Sequence, residues 1–188
     1  MPERCFELLK TKIRESKNNI DMKIKRCLFC LTTLNSEYVD LDPEGDFYRY
    51  ECMCCGFVKA SGSCAVLEQT EDHRHVKGIR HLISGILRWR SIRGTKDYRT
   101  IMFEDVPLLL QNEHTPRQIP DKIDLLIQYF GLVSKSFGHV ESLMRQFDKA
   151  ITFSPDEDEF QEIQNYLHNE KLIIPGQQNG SNGYKLSM

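Results

Sequence analysis

Four cysteines carry the one spacing in this chain suited to metal chemistry. Cys27-Leu28-Phe29-Cys30 and Cys52-Met53-Cys54-Cys55 contain two Cys-x-x-Cys pairs, Cys27/Cys30 and Cys52/Cys55, with 21 residues between them. Two intervening residues let a tight turn point both sulfurs the same way, so each pair offers two thiolates to one ion. Two such pairs complete a tetrahedral four-thiolate site, the arrangement that zinc favours in structural centres. Gly56 follows the second pair and suits a turn that needs positive φ. The competing reading is four unligated buried cysteines. Cys54, between Cys52 and Cys55, allows a shifted register; Cys55 is preferred because it restores the two-residue spacing and precedes the glycine. Cys5 and Cys64 read as ordinary buried thiols.

A four-cysteine site needs elements to hold it. Phe47-Tyr48-Arg49-Tyr50-Glu51 is aromatic, partly alternating, and runs into Cys52, as a half-buried strand does. Asp42-Pro43-Glu44-Gly45-Asp46 before it is a turn by composition. Phe57-Val58-Lys59-Ala60 reads as the returning strand, ending at Ser61-Gly62-Ser63. Strand, metal turn and strand over residues 23–66 is a zinc-ribbon plan, in which Zn2+ substitutes for a core too small to build. Residues 1–22 read as an N-terminal packing helix, with Cys5, Phe6, Leu9 and Ile13 near one face.

A basic amphipathic helix is expected over residues 67–95. Thr70 is its candidate cap, and Val76, Ile79, Ile83 and Ile86/Leu87 form its apolar stripe. Arg74, Lys77, Arg80, Arg88, Arg90 and Arg93 surround Trp89 and form the best candidate surface for a nucleic acid or nucleotide. Arginine forks suit phosphate, and a tryptophan can stack on a base. The plainer reading has Trp89 capping the core and the arginines paired with acids. His73, His75 and His81 read as solvated or core histidines, since positions two apart do not share a helix face.

Residues 96–119 read as a connector broken by Pro107 and Pro116, with Val106 to Leu110 packing on one of the modules. From residue 120 the pattern is helical at Ile123, Leu126, Ile127 and Phe130, with Gly131 as a stop, and helical again over 138–149. Ser154-Pro155 is a start signal, a cap followed by proline at the first helical position, for a third helix with Phe160, Ile163 and Leu167 buried. Leu172–Ile174 and Tyr184–Leu186 read as two strands joined by a polar loop, 176–183. Helices followed by a hairpin make 120–188 a winged-helix-like module. The expected fold class is therefore α+β.

Charge bears on how that module is used. Residues 1–99 hold 18 Lys/Arg against 14 Asp/Glu, a balance of +4; the remaining 7 and 13 leave 100–188 at −6. In winged-helix readers the helix before the hairpin enters the major groove. Here that helix begins Asp156-Glu157-Asp158-Glu159 and has no Lys or Arg before Lys171, so it is poorly suited to neutralise phosphates. Packing against another protein domain or subunit is the better use.

Composition is ordinary for a globular chain, at 40% apolar and 28% charged. No apolar run approaches the roughly 18 residues of a membrane span. Seven cysteines without a disulfide framework fit a reducing compartment. With no apolar signal core after Met1-Pro2-Glu3-Arg4, the chain reads as cytoplasmic, with no membrane partner. No nucleophile–base–orienter set is visible, so no catalysis is expected of it.

The set of motifs resembles the N-terminal region of a group of multidomain bacterial proteins. The pieces that carry the resemblance are Cys27-x-x-Cys30 and Tyr48-Arg49-Tyr50-Glu51-Cys52-x-x-Cys55-Gly56. Arg80-His81-Leu82-Ile83-Ser84-Gly85, Leu167 to Ile174 and Gly183-Tyr184-Lys185-Leu186-Ser187-Met188 continue it. Such proteins often run on into a domain similar to TIR or nucleoside 2-deoxyribosyltransferase folds. The resemblance implies the sensing or scaffolding half of an effector of the antiphage-defence kind, with the nucleotide-cleaving chemistry elsewhere. It also implies that Gly183–Met188 is a second wing strand, and stopping there makes a longer native protein the expectation. The sequence departs from the pattern at Leu28, where proline is usual, and at Leu31, where glycine is usual.

Overall fold

A computed structural model describes residues 24–34, 40–41, 47–65, 74–94, 101–112, 115–134, 140–178 and 181–187. The expected helix over 1–22, with Cys5, lies outside these residues, as do the Thr70 cap and His73. The chain is α+β and divides into two compact units, Met1–His114 and Thr115–Met188. The second unit thus begins a few residues before the expected boundary at 120.

In the first unit, three antiparallel strands form a small sheet in the order β1-β2-β3: β1 (Asp40–Leu41), β2 (Phe47–Cys52) and β3 (Gly56–Ser61). Tyr50 pairs with Val58, and Cys52 with Gly56. Because side chains alternate along a strand, Tyr50, Cys52, Val58 and Ala60 all turn inward and are buried, while Glu51 and Phe57 turn out. Helix α1 (Arg74–Ile92) lies against β3. Among its described residues the buried positions are Arg80, Ile83, Ser84, Gly85, Ile86, Leu87 and Trp89. The expected apolar stripe is present at 83, 86 and 87, but the buried face is wider and includes two polar side chains.

Residues 96–119 do more than connect. Ile101 joins the free edge of β3: its N–H donates to the Lys59 carbonyl, and its carbonyl accepts from the Ser61 N–H, both at 2.9 Å. A 3-10 turn (Phe103–Asp105) then leads into helix α2 (Val106–Asn112), which packs on α1 through this part of the unit. Val106 is buried in the cysteine-bearing unit, but Leu109 and Leu110 are only half-buried and Leu108 is exposed, so the expected packing of the apolar run holds chiefly at its first residue. Pro107 does not break the helix because it falls in its first turn, where its missing N–H has no partner to lose.

The second unit contains α3 (Ile119–Val133), α4 (Arg145–Asp148) continued by a 3-10 turn (Lys149–Thr152), α5 (Glu157–Asn169), β4 (Ile173–Gln178) and β5 (Ser181–Leu186). Leu126, Phe130, Ile151, Phe160, Ile163, Leu167 and Ile173 make its core. Three boundary expectations are corrected. Gly131 does not stop α3, which runs to Val133. The expected helix over 138–149 is largely absent: Glu141 instead bridges Tyr184 through two 2.8 Å backbone hydrogen bonds, and helix begins only at Arg145. The cap of α5 is not Ser154 but Asp156, whose carboxylate accepts the Glu159 N–H at 2.9 Å. Ser154 is buried 2.7 Å from Thr152 Oγ1, so its hydroxyl is used below the helix start.

The expected loop 176–183 is mostly strand. Gly176 pairs with Gly183, Gln177 with Asn182 and Gln178 with Ser181, leaving only residues 179–180 between the paired strands. The two facing glycines explain why pairing continues. A Cβ on Gly176 would lie 2.6 Å from Val140 Cγ2, and one on Gly183 would collide with the Glu141 carbonyl. Their bare backbones let segment 140–141 lie across the hairpin. The acidic start of α5 is partly neutralised within the unit, since Glu159 forms an ion pair with buried Lys122 of α3.

Candidate metal centre

Each cysteine pair is carried by its own turn. The first sits at the tip of a short hairpin: Arg26 bridges Thr33, the Cys27 N–H donates to the Thr32 carbonyl at 2.8 Å, and the Leu34 N–H donates to the Lys25 carbonyl at 2.9 Å. The Leu31 N–H closes the turn onto the Cys27 carbonyl at 2.9 Å, with Leu31 itself in the left-handed region at φ 64°. The second pair occupies the turn between β2 and β3, closed by Gly56 at φ 77°.

These turns bring the Sγ atoms of Cys27, Cys30, Cys52 and Cys55 within 4.8 Å of one another. Cys27 Sγ is 3.7 Å from Cys55 Sγ, and Cys30 Sγ is 3.4 Å from Cys52 Sγ. The sulfurs of a tetrahedron with Zn–S bonds near 2.3 Å stand about 3.8 Å apart, so the cluster has the size such an ion needs. The described cysteines are all free thiols. Separations above 3 Å are far from the roughly 2 Å of a disulfide. The donor set therefore fits a metal ion held by four cysteines, and a four-coordinate ion held this way has no open position.

Electrostatics point the same way. Burial pushes the Cys27 and Cys55 thiols well above the ordinary range, whereas hydrogen bonds from neighbouring thiols, that of Cys27 foremost, pull Cys30 and Cys52 down. Four sulfurs this close cannot all ionise in a buried site without a cation. Cys54 is buried beside the cluster but is not one of the four; its Sγ lies 3.3 Å from Ser84 Oγ, and its thiol is pushed up to about 12, chiefly by the neighbouring Cys30 sulfur. Cys64 is remote from the cluster, donating to the Ile101 carbonyl at 3.3 Å. Burial pushes its thiol up to about 12 as well.

Helix α1 contacts both turns through residues spaced along one face. Arg80 Nη1 donates to the Leu28 and Phe29 carbonyls at 3.1 and 3.2 Å, inside the first turn. Arg88 Nη1 donates to the Met53 carbonyl at 3.3 Å, inside the second. Ser84, midway between them, lies 3.1 Å from Cys55 Sγ. Steps of four residues keep side chains on one helix face, so this row runs along the cluster. A guanidinium suits the task because turn carbonyls left without backbone partners are costly when buried.

The expected polyanion surface is thereby divided. Arg80 is buried and Arg88 half-buried, both on the side of the helix that meets the cysteine turns. Trp89 is only 5% exposed, so its ring belongs to the core and offers no open face to a base; the Arg93 guanidinium lies 5.2 Å from the ring centroid. Arg90 is half-buried and Arg93 exposed. Arg74 and Lys77 lie in the first turn of α1, their side chains outside the described residues. Sequence reasoning missed Arg80, Ser84 and Arg88 as supports of the cluster. Their i, i+4, i+8 spacing was present, but nothing in the sequence ties that face to the cysteines.

Comparison with family models, with curated proteins and with solved structures gives no match for the chain. Among the described residues no helix is long and apolar enough to cross a membrane.

Proposed function

We propose that the chain is a non-catalytic interaction or sensing module whose first unit is a zinc ribbon stapled by Zn2+ on Cys27, Cys30, Cys52 and Cys55. The observation that carries this reading is the convergence of four buried or half-buried sulfurs within 4.8 Å of one another; a four-coordinate ion held by them would have no open position for a substrate. The ion is structural: it closes two turns that few residues otherwise hold. The order of the second unit, helix, bridged segment, helix, helix, hairpin, supports reading it as a winged-helix-like module. Its helix before the hairpin opens with Glu157, Asp158 and Glu159, which suits the helix dipole and a protein partner better than DNA phosphates. The module acts in the cytoplasm as the N-terminal part of a larger bacterial protein of the antiphage-defence kind. It positions a TIR-like or deoxyribosyltransferase-like domain, or another subunit, where the chemistry occurs.

The alternative, nucleic-acid binding by the ribbon and the 74–99 basic stretch, is weakened by the internal engagement of Arg80, Arg88 and Trp89. A gel-shift series with duplex DNA, single-stranded DNA and RNA separates the two. The interaction-module reading predicts no shift at low salt. Binding that falls steeply with salt and is lost in Arg90→Ala and Arg93→Ala would overturn it in favour of a polyanion surface.

A further inference from the structure

The two fully buried sulfurs of the cluster each meet a hydroxyl, and the hydroxyls come from different elements. Tyr50 Oη, on β2, lies 3.5 Å from Cys27 Sγ; Ser84 Oγ, on α1, lies 3.1 Å from Cys55 Sγ. Cys27 and Cys55 are both 0% exposed, so water cannot serve them instead. The other two sulfurs have their own polar neighbours: Thr32 Oγ1 is 3.2 Å from Cys30 Sγ, and the Cys55 N–H donates to Cys52 Sγ at 3.5 Å.

The direction of the two hydroxyls follows from what stands behind them. The Leu28 N–H donates to Tyr50 Oη at 3.1 Å. A backbone N–H can only donate, so the Tyr50 hydrogen is left for the sulfur. Cys54 Sγ lies 3.3 Å from Ser84 Oγ. Cys54 is outside the four-sulfur set and keeps its S–H, which can donate to Ser84 Oγ. A metal-bound thiolate has no hydrogen to give, so Ser84 must donate toward Cys55. Four thiolates on one divalent cation carry a net charge of −2, and a buried excess of that size needs donors aimed at the sulfurs.

We propose that Ser84 and Tyr50 are positioning residues of the metal centre, each donating its hydroxyl hydrogen to a metal-bound thiolate. Ser84 thereby makes α1 part of the site, and metal binding fixes the helix to the cysteine turns. This inference rests on the four-thiolate metal reading above. Outer partners of metal ligands commonly contribute 10–100-fold to affinity.

The test is cobalt(II) titration of the full chain and of Ser84→Ala, Ser84→Thr and Tyr50→Phe, followed by competition with zinc. A hydrogen bond lowers the energy of sulfur lone pairs, so losing one shifts the sulfur-to-cobalt charge-transfer band to longer wavelength. Ser84→Ala and Tyr50→Phe should each show that shift and bind zinc roughly 10–100-fold more weakly, whereas Ser84→Thr should restore the wild-type band. Either the Ala or the Phe variant alone suffices if the other fails to fold. Wild-type affinity and an unmoved band in either folded variant would overturn the proposal. If wild-type protein gives no tetrahedral thiolate spectrum, the metal centre itself is wrong, a failure distinct from that of its outer donors.

Discussion

The two cysteine turns do the same job with different materials. Both need a residue in the left-handed region just after their second cysteine: Gly56 at φ 77° in one, Leu31 at φ 64° in the other. Glycine adopts that conformation freely, while a residue with a Cβ loses about 1–2 kcal/mol there. The second turn is also flanked by six-residue strands in full register. The first has only a short hairpin and the Arg80 guanidinium on its Leu28 and Phe29 carbonyls. Backbone strain persists where the surroundings over-determine it. A metal shared between the turns would let the better-built one hold the other, and Arg80 adds a second constraint from the helix.

The comparison can be broken or sharpened by substitution, beginning with the largest effect. Removing one thiolate from either turn, by Cys27→Ser or Cys55→Ser, forfeits much of a metal-binding free energy that reaches about 10–16 kcal/mol in small zinc modules. The first unit should lose its cooperative transition in circular dichroism and calorimetry, while the transition of Thr115–Met188 remains. Gly56→Ala comes next. Its Cβ would sit 2.5 Å from Ser91 Cβ and Oγ, adding a clash to the positive φ, so a loss of about 2–3 kcal/mol is expected in denaturant melts. The double variant with Ser91→Gly should recover the clash but not the backbone cost. Leu31→Gly is the counterpart and should change stability by less than about 1 kcal/mol, because relief of φ and the greater freedom of the unfolded chain oppose each other. A loss as large as that of Gly56→Ala would show that the Leu31 side chain supports the first turn by packing.

Protonation offers another measure. Burial holds Cys27 and Cys55 as neutral thiols below their raised values, and these must lose their protons to bind a metal. Metal binding at neutral pH should therefore release at least two protons, and affinity should rise with pH and fall as pH drops. Calorimetry in buffers of different ionisation enthalpy counts them. The smallest effect is expected of Cys54→Ser. It leaves all four sulfurs in place and should retain the metal at a loss of about 1 kcal/mol; metal loss here with retention in Cys55→Ser would reverse the ligand register.

The sequence made some of this legible for definite reasons. The cysteine spacing and Gly56 mark the cluster, since both are local requirements of a turn. The alternation at Phe47–Glu51 and the stripe at Ile83, Ile86 and Leu87 mark elements with one buried face. Leu31 could be seen as a departure but not as a strained position, because only the chain around it shows that φ is positive. Arg80 and Arg88 read as part of a basic surface because charge in a sequence carries no direction; packing decides that this face, with Ser84 between them, meets turn carbonyls and a cysteine sulfur. The loop at 176–183 and the helix at 138–149 were misplaced for one shared reason. Gly176 and Gly183 look like loop residues, yet their missing side chains make room for Val140 and Glu141 to lie across the hairpin.

The most direct measurement is the metal content of the purified 188-residue chain, by native mass spectrometry with elemental analysis. The account predicts about one zinc per chain, lost in Cys55→Ser and retained in Cys54→Ser. A fully folded chain that carries no metal and gains no stability from added zinc would contradict it.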